Sequence, residues 1–379
     1  MKHGMNNVTN ISTDEIGQMV EIHRDKSEVV AFISEPGAGK TASIIAAGKR
    51  LAKKLGKRFV LNPTIEEWEM DDTFCVSTLI LATIEEIDVR GMPHVTMFNN
   101  RQLTRYSLTE LFPVKGTGII LVDEFANARS NIQNSMQDVL LEHKAGNYPI
   151  SKDIQFVIAT NGPQHNTGTY YIPSALRNRV SWFEVVPCNE EKWLEIMDDI
   201  DPIDPRVAAW LLSIGSKYYR NFDPKAEQYG YGTMRSLHKA SNLIKGITDE
   251  SLLRKLMGGR VGDDAGQDFL AFTKLTQKVD INALLKNPAA ISEYEDNIGL
   301  LYSICVTLVD KFIDTPSTNE NIIDILDIMK RKENGVFILK NIKNKLGRAN
   351  FMTRLSKCSN IKKVATKYHQ LLRGEEIDN

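Results

Sequence analysis

The chain has 379 residues, 42% of them hydrophobic and 25% charged, with a net charge of −1; this suits a globular protein with two or three cored domains and excludes a disordered or collagenous chain. No window approaches the roughly 18 to 20 consecutive apolar residues that a membrane span needs, and the N-terminus offers Lys2 and His3 but no apolar run of signal-peptide length, so a cytoplasmic protein without a membrane partner is expected. Cys75, Cys188, Cys305 and Cys358 stand far apart without a C-x-x-C pair, and the seven histidines lack metal-ligand spacing, which argues against a zinc site and a disulfide framework.

Ser12 and Glu15 have capping-box spacing ahead of Ile16, Met19, Val20 and Ile22, which predicts a first helix over residues 12 to 23. The apolar run from Glu28 to Ile33 predicts a short buried strand. It leads directly into Ser34-Glu35-Pro36-Gly37-Ala38-Gly39-Lys40-Thr41. From Lys40 to Leu55, Ile44, Ile45, Ala47, Leu51, Ala52 and Leu55 recur at helical spacing, with lysines and Arg50 on the other face.

A strand, a glycine-rich loop and a helix in this order suit phosphate. Successive backbone N–H groups and the helix N-terminus carry partial positive charge, and glycine lets the backbone approach an anion. Residues Glu35, Pro36, Gly37, Ala38, Gly39, Lys40, Thr41 and Ala42 form the candidate cradle; Lys40 would reach the β- and γ-phosphates of a nucleotide, and the Thr41 hydroxyl would hold Mg²⁺. The pattern G-x-x-x-x-G-K-[ST] is matched except at its first glycine, where Ser34 stands. Provided Ser34 keeps a negative φ, this reads as a permissive change that removes backbone freedom but no phosphate-binding group.

Further short apolar runs at 59–61, 118–122, 154–159 and 182–186 bring the predicted strands to five in the first 190 residues. Their alternation with helical stretches predicts an α/β fold with a mainly parallel sheet covered by helices. In Ile119-Ile120-Leu121-Val122-Asp123-Glu124, a buried strand delivers two adjacent acids. Asp123 can bind Mg²⁺, partly through water, while Glu124 can orient and deprotonate an attacking water. Asn161, ending Ile158-Ala159-Thr160-Asn161, either reaches the γ-phosphate beside a central loop strand or caps the turn at Gly162-Pro163.

Beyond Pro187 the pattern is helical, with turns at residues 201–205, 230–232, 258–266 and 315–321. The glycine-rich 257–266 stretch has neither a preceding strand nor a following Lys-Ser/Thr, so it reads as a turn between helices and not a second phosphate loop. Lys330 to Arg373 holds 13 Lys or Arg against the single acid Glu333, leaving 34 basic against 47 acidic residues elsewhere. Such a tail can bind nucleic acid, yet Ile338, Leu339, Ile342, Leu355 and Val364 equally allow its lysines to be the wet faces of packed helices.

The ordered set "EPGAGKT", "IILVDE", "IATN", "SALRNRV" and "GTMRSL" resembles the AAA+ superfamily of P-loop ATPases, and within it the MoxR-like branch. The resemblance spans residues 25 to 240 and continues in "GGRVGDDAGQDFLAF" and "ALLKNPAA". It implies an AAA+ P-loop NTPase domain over residues 1–188, with a five-stranded mainly parallel sheet, an all-α lid over 189–290 and a further helical region over 291–379. On this resemblance Lys40 and Thr41 match the Walker A pair, Asp123 and Glu124 the Walker B pair, and Asn161 the first sensor. Arg179 matches the arginine projected into the neighbouring subunit, with Arg177 as the alternative, and Arg235 matches the second sensor.

A guanidinium suits either place because charge accumulates on the γ-phosphoryl oxygens during transfer. The resemblance further implies an ATPase acting as a homo-oligomeric, hexameric ring that remodels a protein client, in some relatives with a von Willebrand factor A domain partner. A nucleic-acid motor or loader using the basic tail, and an ATP-dependent scaffold with little turnover, are the alternatives.

Overall fold

The computed structural model describes residues 8–162, 170–219, 230–276 and 279–368, which group into two units. The first runs to Ile196 and also takes in Thr233–Arg235; the second takes the other described residues from Met197 onward. In chain order the first unit contains β1 (Thr9–Ser12), α1 (Ile16–Asp25), β2 (Val30–Ser34), α2 (Lys40–Lys54), β3 (Arg58–Leu61), α3 (Ile65–Glu69), β4 (Thr73–Ile80) and α4 (Glu86–Arg90). It continues with β5 (Pro93–Phe98), β6 (Arg101–Tyr106), β7 (Gly118–Asp123), α5 (Ser130–Glu142), β8 (Lys144–Ala145), β9 (Tyr148–Pro149), β10 (Ile154–Asn161), α6 (Ser174–Arg179) and β11 (Ser181–Val186).

Seven strands form one wholly parallel sheet in the order β1-β11-β2-β10-β7-β4-β3. Its central strands are covered on both faces, which is why they read as unbroken apolar runs and not as alternating ones. Val30, Phe32, Ile119, Leu121, Val157 and Ala159 pack with Ile16 and Val20 of α1 and Ile44, Ala47 and Leu51 of α2. Their chain neighbours Ala31, Ile120, Val122, Phe156 and Ile158 point the other way and pack with Ile132, Met136, Val139 and Leu140 of α5.

The sheet has two more strands than the five predicted. β1 has four residues, only Ile11 of them buried, so no hydrophobic pattern announces it; its backbone pairing with β11 makes it a strand. In β4 the half-buried Ser77 and Thr78 interrupt the apolar run, although the strand lies between β3 and β7. Two antiparallel hairpins, β5–β6 and β8–β9, also went unpredicted. The first helix begins later than its capping signal suggested. Glu15 accepts a hydrogen bond from the Ser12 N–H at 2.7 Å, but Thr13–Glu15 form a 3₁₀ turn and α1 proper opens at Ile16.

The second unit, among its described residues, is helical. After α7 (Glu190–Ile200), which runs into it, come α8 (Pro205–Ile214), α9 (Met234–Ile244), α10 (Glu250–Val261), α11 (Asp263–Thr276), α12 (Ile281–Lys286), α13 (Ile298–Asp314), α14 (Asn319–Ile328), α15 (Lys332–Leu346), α16 (Arg348–Ser356) and α17 (Ile361–Ala365). The 257–266 stretch joins α10 to α11 as expected, but the break is the single residue Gly262 at φ 116°, and the residues on either side of it are helical; Gly266, within α11, lets the helices approach. A Cβ on Gly266 would lie 2.5 Å from the Arg254 carbonyl oxygen.

The basic tail has a core of its own: Ile338, Leu339, Ile342, Phe351, Leu355, Val364 and Tyr368 are buried with residues of α13 and α14. Several of its cations are held by that packing. Lys345 pairs with Asp310 and Lys363 with Asp324, each at 2.8 Å, while Arg354 donates to the carbonyls of Phe312 and Ile313. His369 to Arg373 lie outside the described residues. No helix among the described residues is long and apolar enough to cross a membrane.

Candidate active site

Because β10 lies between β2 and β7, the C-terminal ends of three neighbouring parallel strands carry Ser34, Asn161 and Asp123 to one edge of the sheet. After β2 the chain crosses through α2 to β3 at the far edge, so the loop opens at a point where the connections diverge, the place where open parallel sheets bind ligands. Asn161 stands opposite Ser34 in the ladder between β10 and β2.

The loop turns on two glycines in the left-handed region, Gly37 at φ 82° and Gly39 at φ 88°. Ser34 is not in that region, so the condition set for it from sequence is met. Gly39 is the N-cap of the 15-residue α2, and no side chain caps that end. The first-turn N–H groups and the positive end of the helix dipole therefore face the loop without a competing side-chain acceptor.

Lys40 is only 7% exposed. Its ammonium donates to Ser34 Oγ at 2.5 Å, Asn161 Oδ1 at 3.3 Å and the Glu35 carbonyl at 3.5 Å, all neutral acceptors. Burial pushes its pKa down from 10.5 to about 8, with Asp123 opposing the shift and the Arg235 guanidinium adding to it. A buried ammonium with neutral partners and a second cation nearby is a combination that a bound anion would relieve. Arg235 belongs to the Thr233–Arg235 segment of the first unit and is the second residue of α9.

Thr41 Oγ1 donates to Asp123 Oδ2 at 3.0 Å. These two hard oxygen donors suit Mg²⁺, which is held by one or two protein oxygens with water and phosphate completing its shell. Asp123 Oδ1 accepts from the Glu124 N–H at 2.9 Å, so both carboxylate oxygens are oriented. Glu124 is exposed and sits at φ 55°, a left-handed conformation uncommon outside glycine that turns the chain sharply at the strand end. The turn after it is pinned from β10: Thr160 Oγ1 accepts from the Ala126 N–H at 3.0 Å.

The structure thus brings together Lys40, Thr41, Asp123 and Asn161 by direct contact, with Glu124 adjacent and Arg235 within electrostatic range of Lys40. Arg177 and Arg179 stand apart from this network. Both are exposed in the last turn of α6, and their side chains make no hydrogen bond or ion pair among the described residues.

Three residues of the site escape sequence reading. The buried Thr13 donates to the Ala38 carbonyl at 3.2 Å, Thr160 braces the turn behind Glu124, and Thr233 packs so closely that a Cβ on Gly37 would lie 2.8 Å from its side chain. Thr160, beside Asn161, and Thr233, two residues before Arg235, had a positional signal; Thr13 had none. Ser34 needs a correction. It is not merely permissive, because its side chain touches the ammonium that the loop exists to present.

No family model matches the chain, and no curated protein matches it. Among solved structures, NtrX from Brucella abortus, in complex with ATP, is 14% identical, with 84% of this chain and 66% of that chain covered and a TM-score of 0.36. Cdc6p from Pyrobaculum aerophilum is 10% identical over 90% of this chain and 88% of its own, with a TM-score of 0.35. A DNA polymerase III gamma subunit-related protein from Thermotoga maritima is 11% identical over 95% of this chain and 92% of its own, with a TM-score of 0.30. At such identities and scores nothing about this chain follows from them; the chemistry rests on the residues at the sheet edge.

Proposed function

We propose that this chain is an ATP-hydrolysing P-loop enzyme of the AAA+ superfamily. The observation that carries the proposal is the meeting of Lys40, Thr41, Asp123 and Asn161 at the ends of three adjacent parallel strands, with Thr41 Oγ1 3.0 Å from Asp123 Oδ2 and Lys40 Nζ 3.3 Å from Asn161 Oδ1.

The backbone N–H groups of Glu35 and of Gly37 to Ala42, with the uncapped start of α2, bind the phosphate chain. Lys40 contributes a fixed positive charge toward its terminal oxygens. Thr41 and Asp123 would hold Mg²⁺, Asp123 partly through water, and the ion when bound supplies charge neutralisation at the phosphates. Glu124, exposed beside Asp123, accepts the proton of the attacking water. Arg235 answers the charge that gathers on the γ-phosphoryl group, and Arg179, with Arg177 as the alternative, is available to do so for a neighbouring subunit.

The finer reading, a MoxR-like homo-oligomeric ring that remodels a protein client, is supported by the resemblance of the ordered motifs and by the unengaged arginines of α6. The nucleic-acid alternative is weakened where tail cations are tied to α13 and α14.

Phosphate release from Mg²⁺-ATP by the purified wild-type protein is the first test. Glu124→Gln is expected to lower turnover by about 10²–10⁴-fold while affinity for a fluorescent ATP analogue stays within about threefold. Equal turnover in that variant would remove Glu124 as the base. A wild type that binds no nucleotide would end the proposal. The ATP-loaded Glu124→Gln protein is also the bait expected to retain a protein client.

A further inference from the structure

Serine in place of the loop's first glycine is chemically silent only if its hydroxyl meets nothing that matters. Ser34 is 2% exposed, and its Oγ lies 2.7 Å from the Glu35 carbonyl and 2.5 Å from Lys40 Nζ. With its proton given to that carbonyl, the hydroxyl turns its lone pairs to the ammonium, as donor and acceptor chemistry requires.

An ammonium has three N–H donors. Those of Lys40 face Ser34 Oγ at 2.5 Å, Asn161 Oδ1 at 3.3 Å and the Glu35 carbonyl at 3.5 Å. The last contact is at the outer limit of a hydrogen bond and is the easiest to exchange. We infer that Ser34 is a positioning residue for Lys40: its hydroxyl, together with Asn161, anchors the ammonium at the strand ends and leaves the donor now on the Glu35 carbonyl for a phosphate oxygen. Glycine at this position has no acceptor to offer, so the long lysine side chain would have to be ordered when the nucleotide arrives. The inference rests on the ATP reading above.

Two measurements test it, one without nucleotide and one with it. In thermal unfolding of the nucleotide-free protein, Ser34→Ala is expected to lower the Tm by roughly 2–4 °C when Lys40 is present and by under about 1 °C in the Lys40→Met background. Equal shifts in both backgrounds would mean that the hydroxyl serves the loop backbone alone, and would overturn the inference.

With a fluorescent ATP analogue and Mg²⁺, Ser34→Ala and Ser34→Gly are each expected to weaken binding by about tenfold, with kcat at saturating ATP within about threefold of wild type. Wild-type affinity in both variants would overturn the inference while leaving the ATP reading intact. So would wild-type affinity in Ser34→Gly alone, since that variant also lacks the hydroxyl. Failure of the wild type to bind the analogue defeats the ATP reading itself, whatever the variants do.

Discussion

At the scale of single residues, the site is a set of small groups whose neighbours decide what they do. Asp123 reads from sequence as one of two acids, yet one of its oxygens is aligned with Thr41 and the other with the Glu124 N–H, which leaves the exposed Glu124 carboxylate as the one available to water. Gly37 is constrained twice. Its φ of 82° disfavours any side chain, and an added Cβ would lie 2.8 Å from Thr233. Gly37→Ala is therefore expected to cost about 1–3 kcal/mol in urea unfolding and to weaken binding of the ATP analogue at least about tenfold. A variant with wild-type stability and affinity would show that the loop relaxes freely and does not hold its phosphate-binding shape.

At the scale of elements, helices are fixed by a few polar clamps as well as by their apolar faces. Within the second unit Asp201, just after α7, binds two side chains of α9 and one just past its end: His238 Nε2 at 2.6 Å, Asn242 Nδ2 at 2.6 Å and Lys245 Nζ at 3.3 Å. Hydrogen bonds from Asn242, then His238 and Lys245, hold its carboxyl down from 3.8 to about 2. A carboxyl depressed in this way contributes stability that is present above its unfolded value, near 3.8, and disappears as the pH falls toward about 2. Its side chain is 40% exposed, so solvent screening keeps the effect modest. Asp201→Asn is expected to lower the Tm by roughly 1–3 °C at pH 6 and by less than half of that at pH 2.5. A gap that stays constant across this range would mean that the carboxylate's charge plays no part.

At the scale of the whole molecule, the proposal that matters is assembly. The exposed guanidinium groups of α6 have no partner among the described residues of their own chain, a placement that suits the proposed role at a neighbour's nucleotide. Arg179→Ala is expected to lower turnover about 10²-fold or more with ATP affinity unchanged. Mixing it with Lys40→Ala is expected to restore part of the activity, because the first variant keeps an intact loop and the second an intact arginine. If mixed assemblies form and recover nothing, Arg179 is not the trans arginine, and the same mixing with Arg177→Ala tests its alternative.

The sequence by itself determined the loop, the strand ending in Asp123 and Glu124, and the strand ending in Asn161. Each is a local run, buried on both faces and closed by a polar residue, and such runs are readable without knowing their neighbours. β1 was not legible because its pairing, and not its hydrophobicity, makes it a strand, and β4 was not because Ser77 and Thr78 divide its apolar residues into two short pieces. Thr13 and Thr160 lie 25 and 34 residues from the backbone groups they hold, and no local pattern marks such contacts. Ser34 shows the division most clearly. Sequence could say only that a glycine was missing, whereas the parallel pairing of β2 with β10 placed its hydroxyl beside Lys40 and Asn161, and that neighbourhood is a property of the sheet.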